Sequence, residues 1–303
     1  MNSAFRSLPF PQIRAAVLRN SHQPTTVTIR TMSANTNGAA RAPTKPSTPE
    51  KKPVKILMIH GFTQNGPLFR AKTRALEKTL TKLLAPVSLA PQLLYPTGPI
   101  RLKASDMPFY EPPSDAAEQE PETWAWWRRN DATGQYTGID RGMTTLADAI
   151  HEAGGVDGVV GFSQGGCAAG VVAAALESER RPLPDPTAGG VDEDTAAWVA
   201  ALRTANGGRP LKFCVVYSGF RAADPDVGWL FEPKIATPTL HILGSLDTSV
   251  DEVRSQTLIQ VCEDPLVVTH PGGHHVPVAR EWIMPLAGFI KQHVYDKEVK
   301  AEL

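Results

Sequence analysis

The chain has 303 residues, with 31 Lys and Arg against 31 Asp and Glu and an apolar content of 42%. A balanced charge lacks the positive surplus that phosphate recognition requires, so no nucleic-acid partner is expected, and no apolar run approaches the roughly 18 residues needed to span a bilayer. The three cysteines, Cys167, Cys214 and Cys262, are an odd number without C-x-x-C spacing; this argues against a disulfide framework or zinc site and for a reducing, intracellular compartment.

Residues 1–50 hold six basic residues against Glu50 alone. Residues 1–53 are expected to form a disordered basic extension, because the Ser, Thr, Pro and Gly of 33–53 cannot bury enough apolar surface to offset their ordering entropy. An Arg-bearing start with Phe5, Leu8, Ile13, Val17 and Leu18 at helical spacing also fits a mitochondrial targeting segment, although Pro9 and Pro11 weaken that helix. The alternatives are a plain tail, or an upstream start with Met32 as the true initiator. The expected location is therefore the cytoplasm, with the nucleus or, through the extension, the mitochondrion as alternatives.

From Val54 the pattern changes. Val54-Lys55-Ile56-Leu57-Met58-Ile59, closed by His60-Gly61, reads as a strand buried in a parallel sheet. Residues 68–85 carry Leu76, Leu80, Leu83 and Leu84 on one stripe, which predicts a helix ended by Pro86. A second strand starts at 88–90. Residues 96–140, rich in proline and bearing Trp124, Trp126 and Trp127, read as a long surface excursion. A helix is expected over 144–152, a strand over 158–160 and a small-residue helix over 165–176. A second excursion, 177–210, holds a helix near 194–203; strands follow at 212–217 and 239–243, a helix at 253–263 and a last strand at 266–269. This alternation predicts an α/β domain over residues 54–303, with a mostly parallel central sheet covered by helices on both faces.

Gly161-Phe162-Ser163-Gln164-Gly165 is a G-x-S-x-G placed between a predicted strand and helix. That context is the nucleophile elbow of α/β-hydrolases, a turn sharp enough to push the serine hydroxyl out above the sheet. A serine hydroxyl needs a base, and the base needs an orienting acid. Asp247 lies in the loop after the strand 239–243, and His270-Pro271-Gly272-Gly273-His274-His275 follows the next strand. The order Ser163, Asp247, His274 matches that of the α/β-hydrolase triad. Asp251 and Asp264 are rival acids, each better suited to capping or turning the chain. His275 remains a rival base, and His270 lies too close to its strand. Oxyanion stabilisation would come from the backbone amides of Gln164 and Phe62. The side chain of His60 is expected only to cap the strand end. Trp126, Trp127 and Phe220 are candidate walls of an acyl pocket, and Cys167 is read as a small core residue with no cation to activate it. No cofactor and no metal are implied.

Six segments resemble a known family, the fungal serine hydrolases: 55–66 (KILMIHGFTQNG), 124–128 (WAWWR), 157–166 (DGVVGFSQGG), 212–220 (KFCVVYSGF), 241–247 (HILGSLD) and 270–277 (HPGGHHVP). The resemblance assigns the triad to Ser163, Asp247 and His274. It implies a small α/β-hydrolase that cleaves carboxylic ester or thioester bonds in small acyl substrates, some of its members resembling thioesterases that release polyketide chains. GFSQGG is shared with acyl-protein thioesterases, which lack the HGF-x-QNG opening. A noncatalytic ligand-binding protein or a peptidase on the same fold are the competing readings.

Overall fold

The computed structural model describes residues 51–103, 106, 122–130, 132–184 and 191–295. These lie in one compact unit, Thr48–Leu303. The expected extension falls outside the described residues except for its last three positions.

In chain order the elements are β1 (Lys52–Ile59), α1 (Gly66–Leu84), β2 (Leu89–Leu94), β3 (Ile100–Arg101), β4 (Trp124–Ala125), β5 (Arg128–Arg129), β6 (Tyr136–Thr137) and α2 (Ile139–Glu152). They continue with β7 (Gly158–Phe162), α3 (Gln164–Ala175), α4 (Glu193–Ala205), β8 (Phe213–Tyr217), β9 (Thr239–Gly244), α5 (Glu252–Ile259), β10 (Leu266–His270) and α6 (Arg280–Ile290). Six strands form one sheet in the order β10-β9-β8-β7-β1-β2, every neighbouring pair parallel. The α/β expectation thus holds at the level of sheet and layers.

Strand pleating divides the core in two. Val54, Ile56, Met58, Val160 and Phe162 join Phe69, Leu76 and Leu80 of α1 and Ile283 and Leu286 of α6 in one apolar layer. Leu57, Ile59, Val159, Cys214 and Val216 point the other way, onto α2, α3 and α4. Both faces are buried, so the strands read as continuous apolar runs. All twelve residues of α3 are buried, as expected of a helix that is apolar all round.

The chain first lays β2 on one side of β1 and then places β7, β8, β9 and β10 on the other. Such a reversal opens a crevice at the carboxyl ends of the two diverging strands. Here those ends carry His60-Gly61-Phe62 after β1 and Ser163 after β7.

Several boundaries differ from expectation. The first helix begins at Gly66, not 68, because the Asn65 side chain caps it by accepting from the Leu68 N–H at 2.8 Å, a contribution of about 1 kcal/mol. The second helix starts at Ile139, five residues before the expected 144. No element was expected after His275, yet α6 runs there with Pro285 inside it. Proline reads as a helix breaker, but the stripe Ile283, Leu286, Ala287 and Ile290 buries the helix against α1 and carries it through. The excursion over 96–140 contains the short pairs β3–β4 and β5–β6 in its described part. Among the described residues, no helix is long and apolar enough to cross a membrane.

Candidate active site

Ser163 alone makes the turn between β7 and α3, with φ 55° and ψ −117°. A non-glycine residue held there stores on the order of 1–3 kcal/mol of strain. Its backbone is fixed on both sides: the Ser163 N–H donates to Tyr217 O at 2.9 Å, and the Cys167 N–H donates to Ser163 O at 3.0 Å. The flanking glycines are required by close approach. A β-carbon on Gly161 would lie 2.0 Å from Gly165 O, and one on Gly165 would lie 2.1 Å from Ile59 O.

The three side chains singled out by chain order meet. Ser163 Oγ lies 3.0 Å from His274 Nε2, and His274 Nδ1 lies 2.7 Å from Asp247 Oδ2. With Nδ1 donating to the carboxylate, Nε2 is free to accept the serine proton. Asp247 Oδ1 accepts from the N–H groups of Ser249 and Val250, both at 2.9 Å. Burial opposes ionisation of Asp247, but the Val250 amide and the hydrogen-bonded His274 outweigh it and hold the carboxyl below its ordinary range. The side chains of Asp247 and His274 are 2% and 23% exposed, so the acid is hidden and the base reachable. Their loops are tied together, Ser245 N–H donating to His270 O and Leu246 N–H to Gly272 O.

The rivals lie elsewhere. Asp251 caps α5 by accepting from the Arg254 N–H at 2.8 Å, and Asp264 sits in a turn at φ 44°. His275 is exposed and meets His270, ring centroids 5.1 Å apart. Cys167 is fully buried, and burial pushes its thiol up. Among the described residues, no backbone acceptor pairs with the amide of Phe62 or that of Gln164. Both donors are therefore available at the carboxyl ends of β1 and β7.

The expected pocket walls divide. Trp126 and Trp127 are 0% and 2% exposed and present no open face: Trp127 stacks on Tyr136 at 5.0 Å, and the Trp126 indole donates to His60 O at 2.9 Å. Phe220 is half-buried just beyond β8, with the Arg254 guanidinium 3.7 Å above its ring.

Two side chains do more than expected. Gln164 Oε1 accepts from the Trp126 N–H at 3.0 Å and Nε2 donates to Trp127 O at 2.8 Å, pinning the elbow to the 126–127 backbone. His60 accepts from the Gly98 N–H at Nε2 (2.9 Å), so Nδ1 carries the proton and donates to Gly61 O at 2.8 Å. Its side chain thus holds the loop that bears the Phe62 amide, where only strand capping was expected. The signal for both was present in HGF and FSQGG, but their partners at Gly98, Trp126 and Trp127 are not encoded in local spacing.

The family description "Serine hydrolase (FSH1)" matches residues 49–286. The chain is 32% identical over 260 residues to "Family of serine hydrolases 3" of Saccharomyces cerevisiae, covering 82% of this chain and 86% of that protein. It is 25% identical over 242 residues to "Esterase OVCA2" of Xenopus tropicalis, covering 77% of this chain and 90% of that one. It is also 32% identical over 231 residues to a Schizosaccharomyces pombe protein named "Dihydrofolate reductase", covering 75% of this chain and 44% of that one. This chain spans about half or less of that protein and of a second Schizosaccharomyces pombe relative. With four fifths of its length matched and the glycine-flanked Ser163 held at the matched elbow, the chain belongs to the FSH1 serine hydrolase family.

Proposed function

We propose that this protein hydrolyses carboxylic ester or thioester bonds of small acyl substrates through an acyl-enzyme on Ser163. The observation that carries the reading is the hydrogen-bonded chain from Ser163 through His274 to Asp247, at 3.0 and 2.7 Å. Ser163 Oγ attacks the carbonyl carbon while His274 Nε2 takes its proton; Asp247 holds the tautomer and faces the imidazolium that forms. The amides of Phe62 and Gln164 donate to the oxyanion. His274 then protonates the leaving alcohol or thiol, and water repeats the sequence to release the acid. The esterase names of relatives support the ester class. Phe220, half-buried just beyond β8, is the remaining candidate wall for the acyl group in this reading. The three buried cysteines, all free, support an intracellular location, cytoplasmic in this reading. Fractionation with the full chain and one starting at Met32 tests that placement.

A fluorophosphonate probe tests the chemistry. Labelling confined to Ser163, competed by esters or thioesters of graded chain length, is expected. An intact, folded protein that stays unlabelled would point to a binding protein on this fold and reject the hydrolase.

A further inference from the structure

We propose that Phe162 is a positioning residue for this chemistry, its ring supporting both the His274 imidazole and the Gly61 backbone that presents the Phe62 amide. The inference rests on the hydrolase reading of Ser163 and His274. Phe162 ends β7, one residue before Ser163, and is 6% exposed. Its strand parity sends it into the layer of Val160, away from α3. There its ring centroid lies 4.7 Å from that of His274, with the planes 38° apart. The same ring underlies the oxyanion loop: a β-carbon on Gly61 would lie 3.0 Å from Phe162 Cδ1 and 3.2 Å from Cε1. One flat side chain therefore touches the base and the donor loop, elements that are far apart in the chain.

The contact is matched to the reaction. When Ser163 gives up its proton, His274 becomes cationic, and the negative face of an aromatic quadrupole favours that form over the neutral one. Once Ser163 is acylated, its hydrogen bond to Nε2 is gone, and the ring contact and Asp247 are what keep the imidazole in plane. The groups facing His274 are the Asp247 carboxylate from the β9 loop and the Ser163 hydroxyl from the elbow. His270 and His275, on its own segment, face each other. All four are unchanged by substitution at 162, so a change in pH profile reports the ring.

The test compares Phe162→Leu, which keeps an apolar filler but removes the π face, with Phe162→Tyr, which retains it. Fluorophosphonate labelling of Ser163 is followed from pH 5 to 9, with kcat and KM on a short p-nitrophenyl ester. For Phe162→Leu the labelling rate and the ester kcat are each expected to fall about tenfold at neutral pH, with little change in KM. The acid limb should move down by about 0.5 pH unit, as loss of a cation–π contact requires. Phe162→Tyr is expected within about twofold of wild type. Where Leu prevents folding, Phe162→Met makes the same comparison. A wild-type limb and rate in the folded Leu or Met variant overturns the proposal, as does equal damage in the Tyr variant. Wild-type protein that is itself unlabelled overturns the hydrolase reading and this proposal with it.

Discussion

Asp247 has one oxygen on His274 and the other on two backbone amides, so removing its charge should disturb tautomer and polarity more than position. Asp247→Asn is expected to lower kcat about 10⁴-fold in a folded protein, since an amide in that place favours the wrong imidazole tautomer. The carboxyl is held below its ordinary range, so its share of stability is present above the unfolded value near 3.9 and is lost as pH falls through the lower folded value. Denaturant titrations of wild type and Asp247→Asn should therefore differ most near neutrality and converge in acid. Elbow glycines answer to a different test. Gly165→Ala would drive a methyl against the carbonyls of Ile59 and His60, and a loss of at least about 3 kcal/mol, seen as a lowered urea midpoint, is expected. At this scale the sequence was most readable. Chain order named Ser163, Asp247 and His274, whereas the choice of His274 over His275 needed the turn after β10, which sends one ring to Asp247 and the other to His270.

Elements were readable where burial forces a period. The apolar runs that became β1, β7, β8 and β9 read as strands covered on both faces, and the leucine stripe of α1 marked the face it buries. What escaped was set by long-range partners. The strands β3 to β6 are two residues each, too short for any period, and α6 persists through Pro285 because its stripe is buried against α1. Trp126 and Trp127 follow the same logic: an aromatic pair in a proline-rich stretch reads equally as pocket wall or as packing, and their backbone partner is Gln164, 37 or 38 positions away. That clamp joins α3 to the segment between β4 and β5. Gln164→Leu would leave a buried Trp126 N–H and Trp127 carbonyl without partners, at a cost of about 2–4 kcal/mol. Chemical denaturation with an unchanged m-value should report it, and a fall in Ser163 labelling should accompany it because the Gln164 amide is an oxyanion donor in the proposed mechanism.

Among the described residues three histidines that the mechanism does not protonate are buried, His60, His241 and, at 3% exposed, His270; the first two are the most enclosed. His60 and His241 are both 0% exposed. Burial holds each near a pKa of about 4, with the Gly61 carbonyl opposing the drop at His60. Unfolded, each would titrate near 6.5. Between those values the unfolded chain binds protons that the folded one refuses, so stability rises with pH from about 4 to 6.5 and is lost on acidification through that window. Each histidine contributes on the order of 3 kcal/mol across it. The consequences differ by site. Protonating His60 Nε2 removes the acceptor of the Gly98 N–H and so strikes the loop that carries the Phe62 amide. His241 has no partner at Nδ1 and only the Cys262 sulfur at 3.7 Å from Nε2, which makes it replaceable. His241→Leu is therefore expected to flatten the pH dependence of unfolding between pH 4.5 and 7, leaving the shares of His60 and His270, with Ser163 labelling at neutral pH intact. Urea melts at several pH values read the slope directly, and a slope equal to wild type would show that His241 takes up its proton over the same pH range in the folded and unfolded protein.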